Sequence, residues 1–285
     1  SRIVPREYET RFDGRSRATV YRHRKDAMAK RWRVRPYDSE RIARLERGAN
    51  VPTVIAQLLL CRGVDTPDAA KHFLEVPLAS LRDPDELPGA RAAAERLAAA
   101  IAGNKRIVVY GDYDADGMTA AAILFSCLKL LGANASYYVP NRLDEGYGLN
   151  DEALRTLASQ GANTVITVDC GIASVAEAET ARSLGLELIV TDHHNFADRL
   201  PEAAVLVHPS LPGGNYPFAG LSGAGVALKV AWGLCQQMAS AKRVPERMKR
   251  FLLEAVGLAA MGTIADVVPL VDENRVIVRH GLGSL

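Results

Sequence analysis

The stretch IVVYGDYDADG, residues Ile107–Gly117, decides the fold of this chain. Its first residues are strand formers, and they lead into three aspartates at alternate positions: Asp112, Asp114 and Asp116. In an extended backbone alternate side chains share a face, so the sequence predicts that the three carboxylates point the same way. Negative charges held that close repel each other unless a cation lies between them. A solvated acidic turn is the alternative, and it needs no cation.

After this stretch, predicted helices and strands alternate along the chain. The helices are predicted at residues 118–131, 150–160 and 174–184, and the strands at 136–139, 164–168, 188–191 and 205–207. Further helices are predicted near residues 226–238 and 248–261. The strands are mostly continuous apolar runs, which is typical of a parallel sheet covered on both faces. We therefore predict an α/β fold with a doubly wound, mostly parallel sheet flanked by helices.

The part of the chain before this sheet shows shorter helical patterns. They lie at residues 39–47, 52–60 and 66–73, followed by an Ala-rich helix at 91–102. The first three are too short to bury a core alone, so they predict a small N-terminal helical cap. The expected organisation is a basic arm over residues 1–31, a helical cap region over 32–104 and a catalytic domain over 105–285.

Basic residues are concentrated at the N-terminus. Residues 1–35 hold twelve Lys and Arg against four Asp and Glu, a net charge of +8, which leaves −6 for the rest within a total of +2. A basic arm on a mildly acidic body predicts a polyanionic partner such as nucleic acid. For a charge run considered alone, a solvated or disordered tail is the alternative.

The composition is that of a globular protein, with 285 residues, 48% hydrophobic and 24% charged. No apolar run approaches the ~20 residues that span a bilayer, and the basic, polar N-terminus does not resemble a signal peptide, so no membrane contact is expected. The four cysteines are scattered without a Cys-x-x-Cys pair. This spacing argues against a zinc thiolate site or a disulfide framework and predicts a reducing cytoplasm.

Polar side chains follow several predicted strands at the point where each strand ends. Asp169 follows the strand at 164–168, and Asp192, His193 and His194 follow the next one. Carboxyl ends of parallel strands meet at one edge of the sheet, so these groups should converge with the first three aspartates. Taken singly, each could be a cap, a turn residue or a satisfied histidine. Together they indicate a metal site.

The chemistry of such a site follows from its ligand types. Carboxylates with imidazole suit a pair of divalent ions, and imidazole favours Mn²⁺ over Mg²⁺. One aspartate bridging two ions about 3.5–4 Å apart would generate hydroxide and clamp a phosphoryl group. Asp266, which follows a buried-looking helix, could supply a further ligand, although a cap or a salt bridge is its alternative role.

Four short motifs together resemble those of the DHH phosphoesterase superfamily. In chain order they are Asp114-Ala115-Asp116-Gly117, Val168-Asp169-Cys170-Gly171, Asp192-His193-His194 and the string from Gly262 to Leu270. Longer strings at residues 110–117, 139–149 and 221–227 resemble its RecJ branch, the single-strand-specific 5′-to-3′ DNA exonucleases. The resemblance runs from about Trp32 to the end of the chain.

The resemblance implies a metal-binding role for five residues. Asp114 and Asp116 would each face one metal, and Asp169 would bridge both. His193 would bind a metal, and Asp266 would complete one coordination shell. Asp116, Asp169 and His193 would thereby act directly in catalysis.

The resemblance also implies roles around these ligands. Asp112 would be a further ligand or lie just outside the shell, and Asp192 would orient an imidazole rather than bind metal. His194 would act in catalysis by touching the scissile phosphate. Arg142 and Tyr147 would grip the terminal nucleotide, because a guanidinium pairs with phosphate and a phenol ring stacks on a base.

Two features depart from the family pattern. Other branches carry a histidine where this chain has Tyr110, which leaves the shell of the first metal open. Members of the family also carry a second domain with a Gly-Gly-Gly-His-type motif, and the RecJ branch adds an oligonucleotide-binding barrel. Neither signature occurs in the sequence, so we expect only the first domain with its cap, weakly active or inactive alone.

The implied function is metal-dependent hydrolysis of phosphodiester bonds in single-stranded DNA, in the 5′-to-3′ direction, in DNA repair and recombination. Two divalent ions, Mn²⁺ preferred or Mg²⁺, would be the cofactors. Single-stranded DNA would be the substrate, with a helicase or single-strand-binding protein as partner. One alternative is a phosphodiesterase for short oligonucleotides or cyclic dinucleotides. Another is a catalytically silent module that binds nucleic acid or a replication partner.

Overall fold

The computed structural model describes residues 37–141 and 148–284. Across these residues it has ten α-helices and five β-strands. The chain divides into two compact units, with the boundary between Ala70 and Lys71. The predicted basic arm, residues 1–31, lies outside the described residues.

Short helices make up the described part of the first unit. They are α1 (Ser39–Ala49), α2 (Thr53–Cys61) and the start of α3 (Pro67–Glu75), which crosses the boundary. Asp38 caps α1 by accepting a hydrogen bond from the Arg41 amide at 3.0 Å. The predicted helical patterns are confirmed to within two residues at each end.

A five-stranded sheet forms the centre of the second unit. Its strands are β1 (Ile107–Gly111), β2 (Ala135–Tyr138), β3 (Thr164–Val168), β4 (Glu187–Thr191) and β5 (Val205–Val207). Their order is β2-β1-β3-β4-β5, and every neighbouring pair is parallel. All residues of β1 and β3 are buried, as the continuous apolar runs predict. The predicted α/β fold with a parallel sheet is confirmed.

Helices cover both faces of this sheet. They are α4 (Ala90–Ala102), α5 (Ala115–Leu130), α6 (Asp151–Ser159), α7 (Val175–Ser183), α8 (Gly223–Ala239), α9 (Glu246–Ala265) and α10 (Asp272–Gly281). Ile107 and Val109 pack into a core with α4, α5, α8 and α9. Val108 and Tyr110, which point the opposite way, pack into a second core with α6 and α7.

The acidic stretch after β1 is not extended, and this part of the prediction is wrong. Helix α5 begins at Ala115 rather than at residue 118, because the Asp114 side chain accepts a hydrogen bond from the Gly117 amide at 2.9 Å. Asp112 therefore follows the strand, Asp114 is the N-cap and Asp116 lies in the first helical turn. Aspartate is a preferred N-cap residue, and this preference outweighs the strand-like alternation.

The predicted boundaries between arm, cap and catalytic domain stay a prediction. Within the described residues, α4 belongs to the second unit and packs against α8. None of the described helices combines the length and the apolar character that crossing a bilayer requires.

Candidate metal centre

The strand order places an open crevice at the carboxyl ends of β1 and β3. The chain moves outward from β1 to β2 and then returns to the other side of β1, and ligands bind at such switch points in sheets of this kind. Gly111, Val168 and Thr191 pair level with one another at the ends of β1, β3 and β4. The residues that follow these three strands therefore enter the same edge of the sheet.

Three overlapping sets of acidic and imidazole side chains lie at this edge, each with its ligand atoms within 4.8 Å of one another. The sets are Asp112, Asp114 and Asp169; Asp116, His193 and Asp266; and Asp169, His193 and His194. Asp169 and His193 each belong to two sets, so they join the others into one centre. The structure thus brings together all seven residues for which metal or phosphate contact is predicted and whose positions are described.

Two atoms at the middle of this centre have unsatisfied bonding capacity. Asp169 Oδ1 and His193 Nε2 are buried and face each other as an ion pair, but this contact lacks hydrogen-bond geometry, and neither atom has a hydrogen-bond partner among the described residues. They lie 3.1 Å apart. Buried polar atoms are almost always satisfied, so a pair without partners calls for an explanation. A divalent cation would satisfy both atoms, and the mixture of carboxylate and imidazole suits manganese.

Backbone amides hold the Asp116 carboxylate. Its two oxygens accept hydrogen bonds from Gly223 N at 2.7 Å and from Ala224 N at 2.9 Å. Both amides belong to the first turn of α8, where the helix dipole also favours negative charge. The sequence analysis noted the string around these residues but assigned it no role. The feature of the sequence that points to this support is Ser222, which caps α8 by accepting a hydrogen bond from the Gly225 amide at 3.2 Å.

Two glycines leave room for the acidic side chains. A Cβ atom on Gly223 would lie 2.2 Å from Asp169 Oδ1, and one on Gly262 would lie 2.4 Å from Asp116 Oδ1. Real Cβ atoms do not approach other atoms this closely. The carboxylates therefore rest directly against the backbone of α8 and α9.

Asp169 has a strained backbone. Its φ is 62°, in the left-handed region that few residues other than glycine adopt. Strain of this kind costs of order 1–3 kcal/mol and concentrates at functional sites. The strain turns the chain sharply after β3 and leaves the Asp169 side chain between the other ligands.

Burial makes the negative charges of the centre unfavourable on their own. Burial and, less strongly, the neighbouring Asp116 carboxylate together raise the pKa of Asp169 to about 7, although His193 opposes the shift. Burial also raises the pKa values of Asp112 and Asp116. A bound cation would offset this cost, which is a driving force for metal binding.

Asp192 contacts His194 and belongs to none of the three ligand sets found in the described residues. Its Oδ1 lies 2.7 Å from His194 Nδ1, and its Oδ2 accepts from the Ile172 amide at 2.9 Å. Although burial alone would raise the pKa of Asp192, hydrogen bonds from His194 and Ile172 lower it. The hydrogen bond with Asp192 raises the pKa of His194 to about 9. The contact places Asp192 beside the His194 imidazole, and its role in orienting that ring stays a prediction.

His208 supports the same loop, and the sequence analysis missed it. The Ser210 amide donates to His208 Nδ1 at 2.9 Å, so the ring proton lies on Nε2. Nε2 in turn donates to the His194 carbonyl at 2.9 Å. His208 is 2% exposed and follows β5, so a buried side chain from the neighbouring strand end holds the backbone at His194.

Substitutions of His208 by Gln and by Phe test the contacts of its ring through the pH dependence of folding stability. Burial lowers the pKa of His208 below its ordinary value of 6.5, so the unfolded state binds the proton more readily. The folded wild type therefore loses stability as the pH falls below about 6.5. At pH 7.5 we expect His208→Phe to lose about 1–3 kcal/mol, because it leaves buried partners unsatisfied.

His208→Gln should lose less at pH 7.5, because its amide can donate to the His194 carbonyl. Its difference from wild type should shrink as the pH falls from 7.5 to 5.5. Urea unfolding at several pH values measures both effects. A difference between Gln variant and wild type that stays constant across this range would contradict the assignment of a neutral, buried His208.

Arg142 and Tyr147 lie outside the described residues. Tyr110 is buried in the core formed with α6 and α7, where its hydroxyl donates to the Gly148 carbonyl at 3.0 Å and accepts from Asn150 Nδ2 at 3.1 Å. Tyr110 therefore does not take the place of the histidine found in other branches.

Fold and site together define an α/β protein with a candidate two-metal centre at the switch point of its sheet. Comparison with known families matches residues 106–263 to the DHH family, N-terminal domain. The chain belongs to the DHH family, and the resemblance predicted from its four motifs is confirmed.

Two named relatives show which members of the family the chain is similar to. The chain is 41% identical over 259 residues to the single-stranded-DNA-specific exonuclease RecJ of Bacillus subtilis, covering 91% of this chain and 31% of that protein. It is 38% identical over 240 residues to RecJ of Escherichia coli, covering 83% and 41%. The chain thus spans about a third to two fifths of the length of these relatives.

Solved structures agree with this placement. A crystal structure of exonuclease RecJ bound to manganese matches with a TM-score of 0.62 and 41% identity, covering 73% of this chain and 49% of that one. RecJ from Thermus thermophilus in complex with Mn²⁺ matches with a TM-score of 0.70 and 34% identity, covering 87% and 33%.

Proposed function

We propose that this chain hydrolyses phosphodiester bonds in single-stranded DNA from the 5′ end, using two divalent ions, with Mn²⁺ preferred over Mg²⁺. The observation that carries the proposal is the pair of buried, unsatisfied atoms Asp169 Oδ1 and His193 Nε2 at the junction of three ligand sets. The substrate is proposed from the RecJ relatives, which are named single-stranded-DNA-specific exonucleases.

Each ligand set has a proposed part in holding the ions. Asp112 and Asp114 would hold one ion, and Asp116 with Asp266 would hold the other. Asp169 would contact both, and His193 would bind beside it. Divalent ions at such a centre stabilise charge on phosphoryl oxygens and lower the pKa of water.

The protein groups around the ions would orient the substrate and the ligands. The α8 amides fix the Asp116 carboxylate, so this ligand needs no rearrangement when a metal binds. His194 is held by Asp192 at 2.7 Å and is 42% exposed at the side chain, so its imidazole is placed to contact the scissile phosphate. Its raised pKa keeps it cationic at neutral pH, which suits an anionic partner. Contacts of Arg142 and Tyr147 with the terminal nucleotide stay predictions.

The cellular setting is also proposed. All four cysteines lie in the described residues and are free thiols, which suits a reducing cytoplasm. The names of the relatives support a role on single-stranded DNA, and hence in DNA repair and recombination. A helicase or a single-strand-binding protein as partner stays a prediction from the family resemblance.

A labelled-DNA assay tests the proposed activity. A single strand labelled at its 3′ end, incubated with the chain and Mn²⁺, should shorten progressively, whereas a 5′ label should be released at once as mononucleotide. Excess EDTA should stop both. Faster hydrolysis of a dinucleotide than of the long strand would instead favour a short-oligonucleotide substrate. Intact DNA with two bound Mn²⁺ ions, measured in the same samples, would indicate a silent binding module.

A further inference from the structure

The side-chain amide of Asn274 links two backbone carbonyls that lie in different segments of the chain. Asn274 lies in the first turn of α10 and is fully buried. Its Nδ2 donates to the Gly220 carbonyl and, at 3.1 Å, to the Pro269 carbonyl. A side-chain amide nitrogen carries two hydrogens, so these contacts use both.

One of the two carbonyls, that of Gly220, lies in the segment that leads into α8, whose amides hold Asp116. The other, that of Pro269, lies in the segment that contains Asp266. Gly220 precedes Ser222, the N-cap of α8, and the first amides of α8 hold the Asp116 carboxylate. Pro269 lies three residues after Asp266 in the turn between α9 and α10. Asp116 and Asp266 belong to the same ligand set, so Asn274 connects the supports of two of its three members.

The turn that carries Asp266 is strained. Val267 has a φ of 62°, which is a genuine outlier for a β-branched residue. Its side chain is 85% exposed, so packing of that side chain does not hold the conformation. Strained residues persist only where their surroundings hold them. The hydrogen bond from Asn274 to the Pro269 carbonyl is a contact from the protein interior to this turn.

The orientation of Asn274 comes at a cost to stability. Its Oδ1 is buried and has no hydrogen-bond partner among the described residues. A buried unsatisfied oxygen costs about 1–3 kcal/mol. Turning the amide over would not help, because Oδ1 would then face two carbonyl oxygens. The amide is thus fixed in the orientation that joins the two segments.

We propose that Asn274 is a positioning residue that sets the spacing between Asp116 and Asp266, and so the affinity of the metal set to which both belong. The inference rests on the metal centre of the proposed function. Groups that orient metal ligands typically change metal affinity 10–100-fold when they are removed. The effect should fall mainly on one ion, because among the described contacts Asn274 reaches the segments behind Asp116 and Asp266 but not the segment of Asp112 and Asp114.

Mn²⁺ titration of Asn274→Ala, followed by calorimetry and electron paramagnetic resonance, tests this proposal. One of the two ions should bind about 10–100-fold more weakly, and the affinity for the other should stay within about 3-fold of wild type. The matched control is His280→Ala, a substitution in the same helix, α10. It removes the contact of 2.7 Å between His280 Nε2 and the Val76 carbonyl. This control should lower the unfolding temperature and leave both affinities unchanged.

A second pair of variants tests the link to the strained turn. Glycine adopts a positive φ without strain, so Val267→Gly combined with Asn274→Ala should recover part of the lost affinity. Should Asn274→Ala not fold, Asn274→Ser is titrated instead, since its hydroxyl can donate to only one of the two carbonyls. Wild-type affinity for both ions in the Ala or Ser variant would overturn the inference. Failure of the wild type to bind two ions would instead overturn the proposed function.

Discussion

Asp169→Asn is expected to abolish hydrolysis and to remove the affinity for a second metal ion, while the fold is retained. Asp169 belongs to two ligand sets, so its loss affects both proposed ions at once. Metal ions supply several kcal/mol of charge stabilisation, and 1.36 kcal/mol corresponds to a tenfold rate, so we expect a loss of at least about 10³-fold. Asparagine tolerates the left-handed φ of 62°, so the backbone need not change.

The same variant should be more stable than wild type when metal is absent. Burial raises the pKa of Asp169 to about 7, so its ionised form destabilises the folded state. Because the pKa is higher in the folded than in the unfolded state, this destabilisation develops as the pH rises from about 4 to about 7. Above pH 7 the shift from 3.8 to about 7 corresponds to roughly 4 kcal/mol at 1.36 kcal/mol for each pKa unit, so we expect Asp169→Asn to gain a few kcal/mol.

Thermal unfolding with EDTA and with excess Mn²⁺ measures both effects, the gain in stability without metal and the loss of stabilisation by metal. The Asn variant should unfold above wild type in EDTA and below it in Mn²⁺, because the variant binds at most one ion and gains less stability from Mn²⁺ than wild type does. Asp198→Asn is the control, since Asp198 is exposed and should show neither effect. An Asn variant that still hydrolyses DNA at the wild-type rate would exclude Asp169 from the mechanism.

Gly223→Ala is expected to have the second largest effect, although it changes no ionisable group. The added Cβ would lie 2.2 Å from Asp169 Oδ1 and 2.5 Å from Asp169 Cγ, so the carboxylate must move. Alanine is the better helix former by about 1 kcal/mol, so helix propensity alone would make the variant more stable. We expect Mn²⁺ affinity and activity to fall at least about 100-fold, because a displaced ligand cannot be replaced by water at equal strength.

Gly225→Ala provides the matched control for this substitution. It adds the same methyl group two residues further along α8, where the nearest atom is Leu221 Cδ2 at 3.2 Å. The end of a flexible leucine can shift by a few tenths of an ångström, so metal affinity should change little. Equal losses in the two variants would show that α8 is sensitive to any added methyl group, rather than that Gly223 makes room for Asp169.

The sequence predicts the fold well, because the strands are buried and their apolar runs are continuous. The strand formers that open the stretch at Ile107 correspond to β1, and the predicted strand at 164–168 is β3. The helix starts are predicted less well. Helices α5 and α8 each begin three residues before their predicted starts, because Asp114 and Ser222 cap them through side-chain hydrogen bonds. A local capping bond competes with the apolar periodicity on which the predictions rest.

The convergence of the site's side chains is also largely predictable from the sequence. The contacts that hold those side chains in place are not. Asp169 and His193 follow predicted strands, and parallel strands end at one edge, so their meeting follows from the fold. The amides of Gly223 and Ala224, the ring of His208 and the amide of Asn274 come from distant segments. Their contacts depend on how α8, β5 and α10 pack, and the sequence pattern does not encode that packing.

The central claim is that side chains from four segments of this chain hold two divalent ions at the carboxyl edge of the sheet. Anomalous diffraction from crystals soaked in Mn²⁺ tests it most directly. The account predicts two strong peaks, one beside Asp112 and Asp114 and one beside Asp116 and Asp266, with Asp169 in contact with both. A single peak, or strong peaks only at sites away from Asp169, would contradict it.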